Sequence, residues 1–263
     1  MLSVAHRVLL RGGRLWCWSG IALAMLLAAA PLCAGSVDRQ ALTRRVAELT
    51  RRIETRGPSA RLYIQRGDAY FHLRDFDSAV ADYTDALTLD AHADRAYFGR
   101  GLALARCGDI DGAIADLNVY LHRHPADGGA YTKRGERYYW KGDLARAERD
   151  LKRAIALAPG DAEAHDQLGR VYARRGDYRR AGREFLAAVH LDAGSADAYH
   201  DLARAYYRQG RQARALAAAR RALSLDPDNR NTLLLEALIL QAQGRTREAD
   251  RVRRRATFVS PDR

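Results

Sequence analysis

Apolar positions recur along most of the chain at the three- and four-residue spacing of amphipathic helices. The same arrangement of large apolar, small and polar residues returns every 34 residues from Ala60 to Arg263, without insertions. A fixed period of this length predicts a stack of similar small units rather than a globule with one central core. The predicted units are residues 60–93, 94–127, 128–161, 162–195, 196–229 and 230–263.

Small residues fix the phase of the repeat. The eighth place of the unit is Gly67, Gly101, Gly135, Gly169, Ala203 and Ala237. The twentieth is Ala79, Ala113, Ala147, Ala181, Ala215 and Ala249. Two helices cross closely only where side chains are nearly absent, so these places predict a contact between two helices of each unit. Large residues at the fourth and eleventh places share a helical face with the eighth.

Turn-forming residues divide each unit into two helices. A glycine at the fifteenth place predicts a left-handed end to the first helix in five units, at Gly108, Gly142, Gly176, Gly210 and Gly244. An aspartate follows where it can cap the second helix, at Asp75, Asp109, Asp143 and Asp177. Proline then closes the second helix, at Pro125, Pro159, Pro227 and Pro261.

This pattern resembles the tetratricopeptide repeat, which is clear in the third unit as Tyr131, Gly135, Tyr138, Ala147, Leu151, Ala154 and Pro159. Two residues depart from the pattern: Tyr120 stands where alanine is expected, and Arg253 where a large apolar residue is expected. The resemblance implies an all-α fold, a right-handed α-solenoid whose concave groove is lined by the first helix of each unit. It also implies a non-catalytic protein that binds other proteins.

The family geometry directs the second, fifth, ninth and twelfth places of each first helix into the groove, with the thirteenth at its margin. The predicted partner-binding residues are Phe71, Phe98, Tyr139, Trp140, Arg170, Arg174, His200, Arg204, Tyr207 and Arg208. The groove is therefore expected to be apolar and aromatic in the first units and apolar again at Leu234 and Leu238. In the fourth and fifth units it is expected to be basic, with Glu163, Asp166 and Asp197 among the arginines.

Two kinds of ligand remain open for this groove. Aromatic anchors and arginines that pair with carboxylates suit a peptide segment of a partner protein, including an acidic segment. The same residues suit a glycan or another polyanion. The family's clamp for a C-terminal carboxylate is not expected, because Ile64 and Asp68 stand where that clamp has lysine and asparagine.

The first 34 residues have the order of a secretory signal peptide. Arg7, Arg11 and Arg14 precede an apolar run from Leu15 to Leu32, and small residues follow. An uncleaved anchor formed by residues 15–32 is the alternative. Either way the repeats are expected outside the cytoplasm, for example in a periplasm. A lipid on Cys33 has weak support, because the preceding residues do not match a bacterial lipoprotein signal.

Residues 35–59 are expected to form a capping helix and a linker. Leu42, Val46, Leu49 and Ile53 give one apolar stripe that would shield the first unit. A short dimerising helix is the alternative. The last second helix carries so many arginines that a solvated cap is expected there rather than a seventh unit, with a polyanion patch as the other interpretation.

The formal charge of +12 suits partners such as anionic lipid, cell-wall polymer or acidic protein surfaces. Nucleic acid is disfavoured by the expected export and by the lack of a recognition motif. No cofactor, metal site or catalytic group is predicted, and His122 and His124 are interpreted as surface residues. Cys107 is expected to be a small half-buried residue without a disulfide.

Overall fold

The computed structural model describes residues 38–259, and the predicted signal or anchor and Pro261 lie outside this range. The described part contains thirteen α-helices and no strand. Helix α1 spans Arg39–Arg56. The first helices of the six units are α2 (Ala60–Leu73), α4 (Asp94–Cys107), α6 (Gly128–Lys141), α8 (Ala162–Arg174), α10 (Ala196–Arg208) and α12 (Arg230–Ala242). The second helices are α3 (Phe76–Leu89), α5 (Ile110–Arg123), α7 (Leu144–Leu157), α9 (Tyr178–Leu191), α11 (Gln212–Leu225) and α13 (Thr246–Phe258).

The turn within each unit forms as the sequence predicts. All five glycines at the fifteenth place have positive φ, between 74° and 91°. The four predicted aspartate caps each accept a hydrogen bond from the backbone N–H three residues later. The first unit has Arg74 instead of glycine, and this residue takes the same left-handed conformation with φ of 65°. The left-handed turn is therefore formed in the first unit even though glycine is replaced by arginine.

The glycine at the eighth place of units one to four packs directly against a large residue of the second helix. A Cβ added to Gly169 would lie 2.6 Å from the Phe185 ring, and one added to Gly135 would lie 2.8 Å from Leu151. Phe185 and Leu151 are fully buried. The small residue is thus required by close approach, as the repeat pattern predicts.

A ladder of arginines connects neighbouring units. Arg66, Arg100 and Arg134 occupy the seventh place of the first three units, and each donates two hydrogen bonds to an aspartate of its own second helix. Each also donates to a residue of the preceding helix, namely Thr50, Thr84 and Asn118. These three acceptors are spaced by 34 residues. Helix α1 therefore packs on α2 in the register of a second helix from a preceding unit, with Leu49 fully buried.

The helices form two different surfaces. First helices of neighbouring units contact one another from α2 through α12, whereas no such contact joins the second helices of neighbouring units between Arg39 and Val259. The first helices are therefore crowded on the inside of the curve, and the second helices are spread on its outside. We call these faces the inner surface and the outer surface. This arrangement is the predicted helical solenoid.

Candidate functional site

The residues that the sequence predicts for partner binding lie on the first helices of units one to five. Two of the predicted aromatic anchors are engaged within their own units. The Phe71 ring meets the edge of Phe76 with centroids 5.4 Å apart, and Phe98 lies 5.0 Å from Tyr120. Both phenylalanines are half-buried. Tyr120, which replaces the expected alanine, thus covers part of Phe98 and reduces what it offers to a ligand.

Tyr139 and Trp140 end α6 and are more open. Their rings meet edge to face at 5.5 Å, and the Trp140 side chain is 60% exposed. Arg174 of the next unit holds Tyr139 in place, because it donates to the Tyr139 carbonyl at 2.7 Å and its guanidinium lies 5.1 Å from the ring centroid. Tyr139 and Trp140 therefore form an aromatic pair at the end of α6, and Arg174 of α8 contacts its tyrosine.

Arg170 is already paired inside the protein. Its Nε lies 2.9 Å from Asp166 Oδ2 in the same helix and 3.2 Å from Asp201 Oδ2 in α10. Asp201 also pairs with Arg204 at 2.9 Å. The four side chains form a row of alternating charges that connects α8 to α10. The aspartates neutralise much of the positive charge that would otherwise attract the carboxylates of a partner.

The remaining predicted residues also have intramolecular contacts. His200 Nδ1 lies 2.9 Å from Thr232 Oγ1, and burial lowers the pKa of His200, which favours the neutral ring. The Arg208 guanidinium lies 4.8 Å from the Tyr178 ring centroid. Tyr207 is half-buried against the core. Of the predicted residues of units four and five, Arg170 and Arg204 share one partner, Asp201, whereas His200, Tyr207 and Arg208 contact other residues.

The expected basic stretch of the groove needs correction. Helices α8 and α10 each contain two acidic residues and two arginines, and α12 contains one of each sign. The inner surface of these units is thus balanced in charge. The carboxylates of Asp166 and Asp201 lie beside the arginines and offset their positive charge. The prediction of a basic groove gave too little weight to these carboxylates.

Asp166 borders a small cavity of about 220 Å³ between α8, α9 and α10. The cavity is also lined by Glu163, Asp192 and Asp197. Burial raises the pKa of Asp166 to about 6, although Arg170 opposes the shift. Its Oδ1 atom is buried and has no hydrogen-bond partner in the described part of the chain. The inner surface consequently contains a carboxyl group that titrates near neutral pH.

Ion pairs between neighbouring first helices were not predicted from the sequence. Asp68 pairs with Arg95 at 2.6 Å, and Lys133 pairs with Glu163 at 2.5 Å. The sequence contains a signal for these pairs, because one partner of each pair occupies the second place of the following unit. Such pairs stiffen the inner surface and further reduce its free charge.

The first helix of unit six presents exposed apolar side chains. Leu234 and Leu238 of α12 lie one helical turn apart, and both are exposed, with Leu238 at 49%. A leucine of similar exposure, Leu191 at 47%, lies at the end of the second helix α9 instead. The inner surface therefore presents two open apolar areas, one at Trp140 and one at the α12 leucines.

Cys107 ends α4, and His124 follows the last residue of α5. Cys107 is exposed rather than half-buried, and burial together with the neighbouring Asp77 raises the pKa of its thiol. His124 stacks on Tyr120 and lies 2.8 Å from Asp94, a partner that the sequence did not indicate. No group of three metal-ligating side chains occurs within residues 38–259. Over the same residues, no helix combines the length and hydropathy of a membrane span.

Known structures share this architecture. The APC/C hetero-tetramer Cut9–Hcn1 aligns over 86% of the chain with a TM-score of 0.72 and 19% identity, and the chain spans 44% of that protein. A tetratricopeptide repeat protein from Parabacteroides merdae aligns over 86% of the chain and 90% of its own length, with a TM-score of 0.66 and 20% identity. These two similarities are similarities of fold alone.

YrrB is described as a TPR protein with an unusual peptide-binding site. It is 26% identical and aligns over 72% of the chain and 97% of its own length, with a TM-score of 0.56. No curated protein sequence matches the chain. Family models of the tetratricopeptide repeat match residues 64–128, 132–195 and 196–229, which is more than half of the sequence. The chain belongs to the tetratricopeptide repeat family.

Proposed function

We propose that this protein is a non-catalytic scaffold that binds a segment of a partner protein on its inner surface. The observation that carries the proposal is the exposure of Trp140, Leu234 and Leu238 on that face. Large apolar side chains in a concave setting are the usual anchors of protein interfaces, because their burial against a partner removes apolar area from water. The family's general role in protein interactions and the peptide-binding site of YrrB support the same function.

The partner segment is expected to be apolar with charges of both signs. Trp140 and Leu238 act as the main anchors, while Phe71 and Phe98 contribute less because their own units cover them. Between the anchors, the alternating charges of α8 and α10 favour a mixed sequence over a purely acidic one. Arg174 and Arg208 form no ion pair with a carboxylate between Asp38 and Val259, and they remain suited to an acidic side chain.

A polyanion or glycan held in the groove is the weaker alternative. The balanced charges of α8, α10 and α12 give such a ligand little net attraction.

We also propose that the protein works outside the cytoplasm. The support is the N-terminal order of arginines, an apolar run and small residues, which is typical of an export signal or an anchor.

The proposal can be tested with a display library of fragments from the source genome. The full chain, kept in solution with a mild non-ionic detergent, is used to select binding peptides. The selected peptides are then measured by fluorescence anisotropy against Trp140→Ser and Leu238→Ser. The matched control is Leu191→Ser, since it removes a leucine of the same exposure from the end of a second helix.

The expected result is a loss of affinity of about tenfold or more in each inner-surface variant and no change in the control, since a central apolar anchor contributes 2 kcal/mol or so. Peptides that bind all three variants equally would place the binding site elsewhere. A library that yields no peptide above background would contradict the scaffold function itself.

A further inference from the structure

The positive charge of the protein is concentrated on the outer surface of units three to six. The second helices α7, α9, α11 and α13 together contain fifteen Arg and Lys residues and five Asp and Glu residues. All fifteen basic residues are exposed, whereas Asp250 is the one exposed acid among the five. We call this set of basic side chains the arginine face.

The first two units have the opposite charge on the same surface. Helices α3 and α5 contain five aspartates and one arginine. The second helices are therefore negative in units one and two, where Asp77, Asp85 and Asp111 are exposed, and strongly positive in units three to six. This polarity is not a consequence of the overall charge, since the first helices of units four to six are balanced.

The arginines stand at equivalent places of successive units. Arg146, Arg180 and Arg214 occupy the nineteenth place of units three, four and five, and Arg149 and Arg183 occupy the twenty-second. Equivalent places recur at the same position on each successive second helix, so these side chains form rows that cross the outer surface. A linear ligand that crosses the second helices would meet one arginine after another.

Many of these arginines have no partner within the described residues. Seven of them form neither an ion pair nor a side-chain hydrogen bond there: Arg149, Arg179, Arg183, Arg214, Arg247, Arg251 and Arg254. This differs from the inner surface, where Arg170 and Arg204 are paired with aspartates. Their guanidinium groups are free to donate two hydrogen bonds to a phosphate, the geometry for which arginine is well suited.

We propose that the arginine face binds a flexible linear polyanion whose charged groups are phosphates. This proposal is independent of the inner-surface function. A flexible chain can follow the curved outer surface and pair with several rows at once, and release of its counterions drives the binding. A flat lipid bilayer would touch only part of a convex surface. Single-stranded nucleic acid has less support, because its bases need aromatic side chains on which to stack. Outside the core, the aromatic residues of these four helices are Tyr178 and Phe258.

The test uses the full chain in mild detergent and inorganic polyphosphate as the probe. The variant Arg149→Gln/Arg183→Gln/Arg214→Gln removes three unpaired arginines of the arginine face. The matched control, Arg51→Gln/Arg61→Gln/Arg106→Gln, removes the same charge from three exposed arginines of α1, α2 and α4. Circular dichroism checks that both variants keep the helical content of the parent.

The parent is expected to bind polyphosphate with an affinity that falls steeply as salt increases. The arginine-face variant should bind at least about tenfold more weakly, and its slope of log K against log salt should be smaller by roughly two, because about 0.7 counterions are released per neutralised phosphate. The control should remain close to the parent in both quantities.

Four results would overturn the proposal. Equal losses in the two variants would show that only net charge matters. Competition by orthophosphate at the same phosphate concentration would show that no polymer is required. Binding to vesicles of anionic lipid without binding to polyphosphate would assign the face to a membrane. A parent that binds none of these probes would leave the arginine face without a polyanion ligand.

Discussion

Arg66 in α2 donates two parallel hydrogen bonds to Asp82 in α3, one from Nε to Oδ2 at 2.8 Å and one from Nη2 to Oδ1 at 2.7 Å. Asp82 is buried, and the hydrogen bond with this carboxylate raises the pKa of Arg66. The same arginine donates to Thr50 of α1 at 3.0 Å. One guanidinium group therefore joins the two helices of the first unit and attaches α1 to them.

Replacement of Arg66 by Met should destabilise the first unit, because it leaves the Asp82 carboxylate buried without a partner. Loss of one member of a buried pair costs about 3 kcal/mol. The measurement is urea unfolding followed by circular dichroism. Arg61→Met serves as the control, since Arg61 is an exposed residue of the same helix. The double variant Arg66→Met/Asp82→Asn should recover part of the loss, and a failure to recover would show that the carboxylate is not the source of the cost.

Gly169→Ala should destabilise the fourth unit. The added methyl group would lie 2.6 Å from the Phe185 ring, and Phe185 is fully buried with no room to move away. Overpacking of this kind costs about 1–3 kcal/mol. Gly160→Ala is the matched control, since no atom lies within 4 Å of the methyl group that it adds. Equal melting temperatures for the two variants would contradict the close-approach role of the eighth place.

Arg74→Gly is expected to stabilise the protein. Arg74 has φ of 65° at the place where five other units have glycine, and a side chain in the left-handed region costs about 1 kcal/mol. Arg74→Ala separates the two effects of the change, because it removes the charge and keeps a Cβ atom. The thermal midpoint should rise for the glycine variant and stay near that of the parent for the alanine variant. A rise in both would attribute the gain to charge.

The fold was largely predictable from the sequence because the repeat imposes local rules. Gly142 and Asp143 specify the turn between α6 and α7 through their own backbone and side-chain properties, and the structure forms that turn. Arg74 shows how far the rule extends, since the contacts of its neighbours impose the turn on a residue that does not favour it. The position of α1 was less evident, because the Thr50–Arg66 hydrogen bond joins it to a unit whose pattern it does not share.

The pairing of charges in the candidate site could not be predicted from the sequence. Family geometry directs the predicted side chains of α8 and α10 to the inner surface, and an ion pair between Arg170 and Asp201 joins these two first helices. The sequence gives the spacing of Asp166 and Arg170, four residues apart and thus one helical turn, but not which of several aspartates approaches each arginine. The pairing of Arg170 with Asp201 depends on the distance between neighbouring first helices, which is a property of the packed array.

Asp166 makes the stability of the protein depend on pH between about 4 and 6. Burial raises its pKa in the folded state to about 6, from an ordinary value of 3.8. The stability that this group contributes is fully present below the unfolded-state pKa and is lost as the pH rises through 6. The shift corresponds to about 3 kcal/mol at most, at 1.4 kcal/mol for each pH unit.

Asp166→Asn should remove this dependence. The free energy of unfolding, measured by urea between pH 4 and pH 8, should fall less with rising pH in the variant than in the parent. The difference between the two curves should change over pH 4–6.5, where the carboxyl group ionises, and be constant above it. Glu163→Gln is the control, because it removes another carboxylate beside the same cavity from an exposed position. If Glu163→Gln alters the pH dependence as much as Asp166→Asn does, the titrating group on the inner surface is not Asp166 alone, and its burial is not the cause.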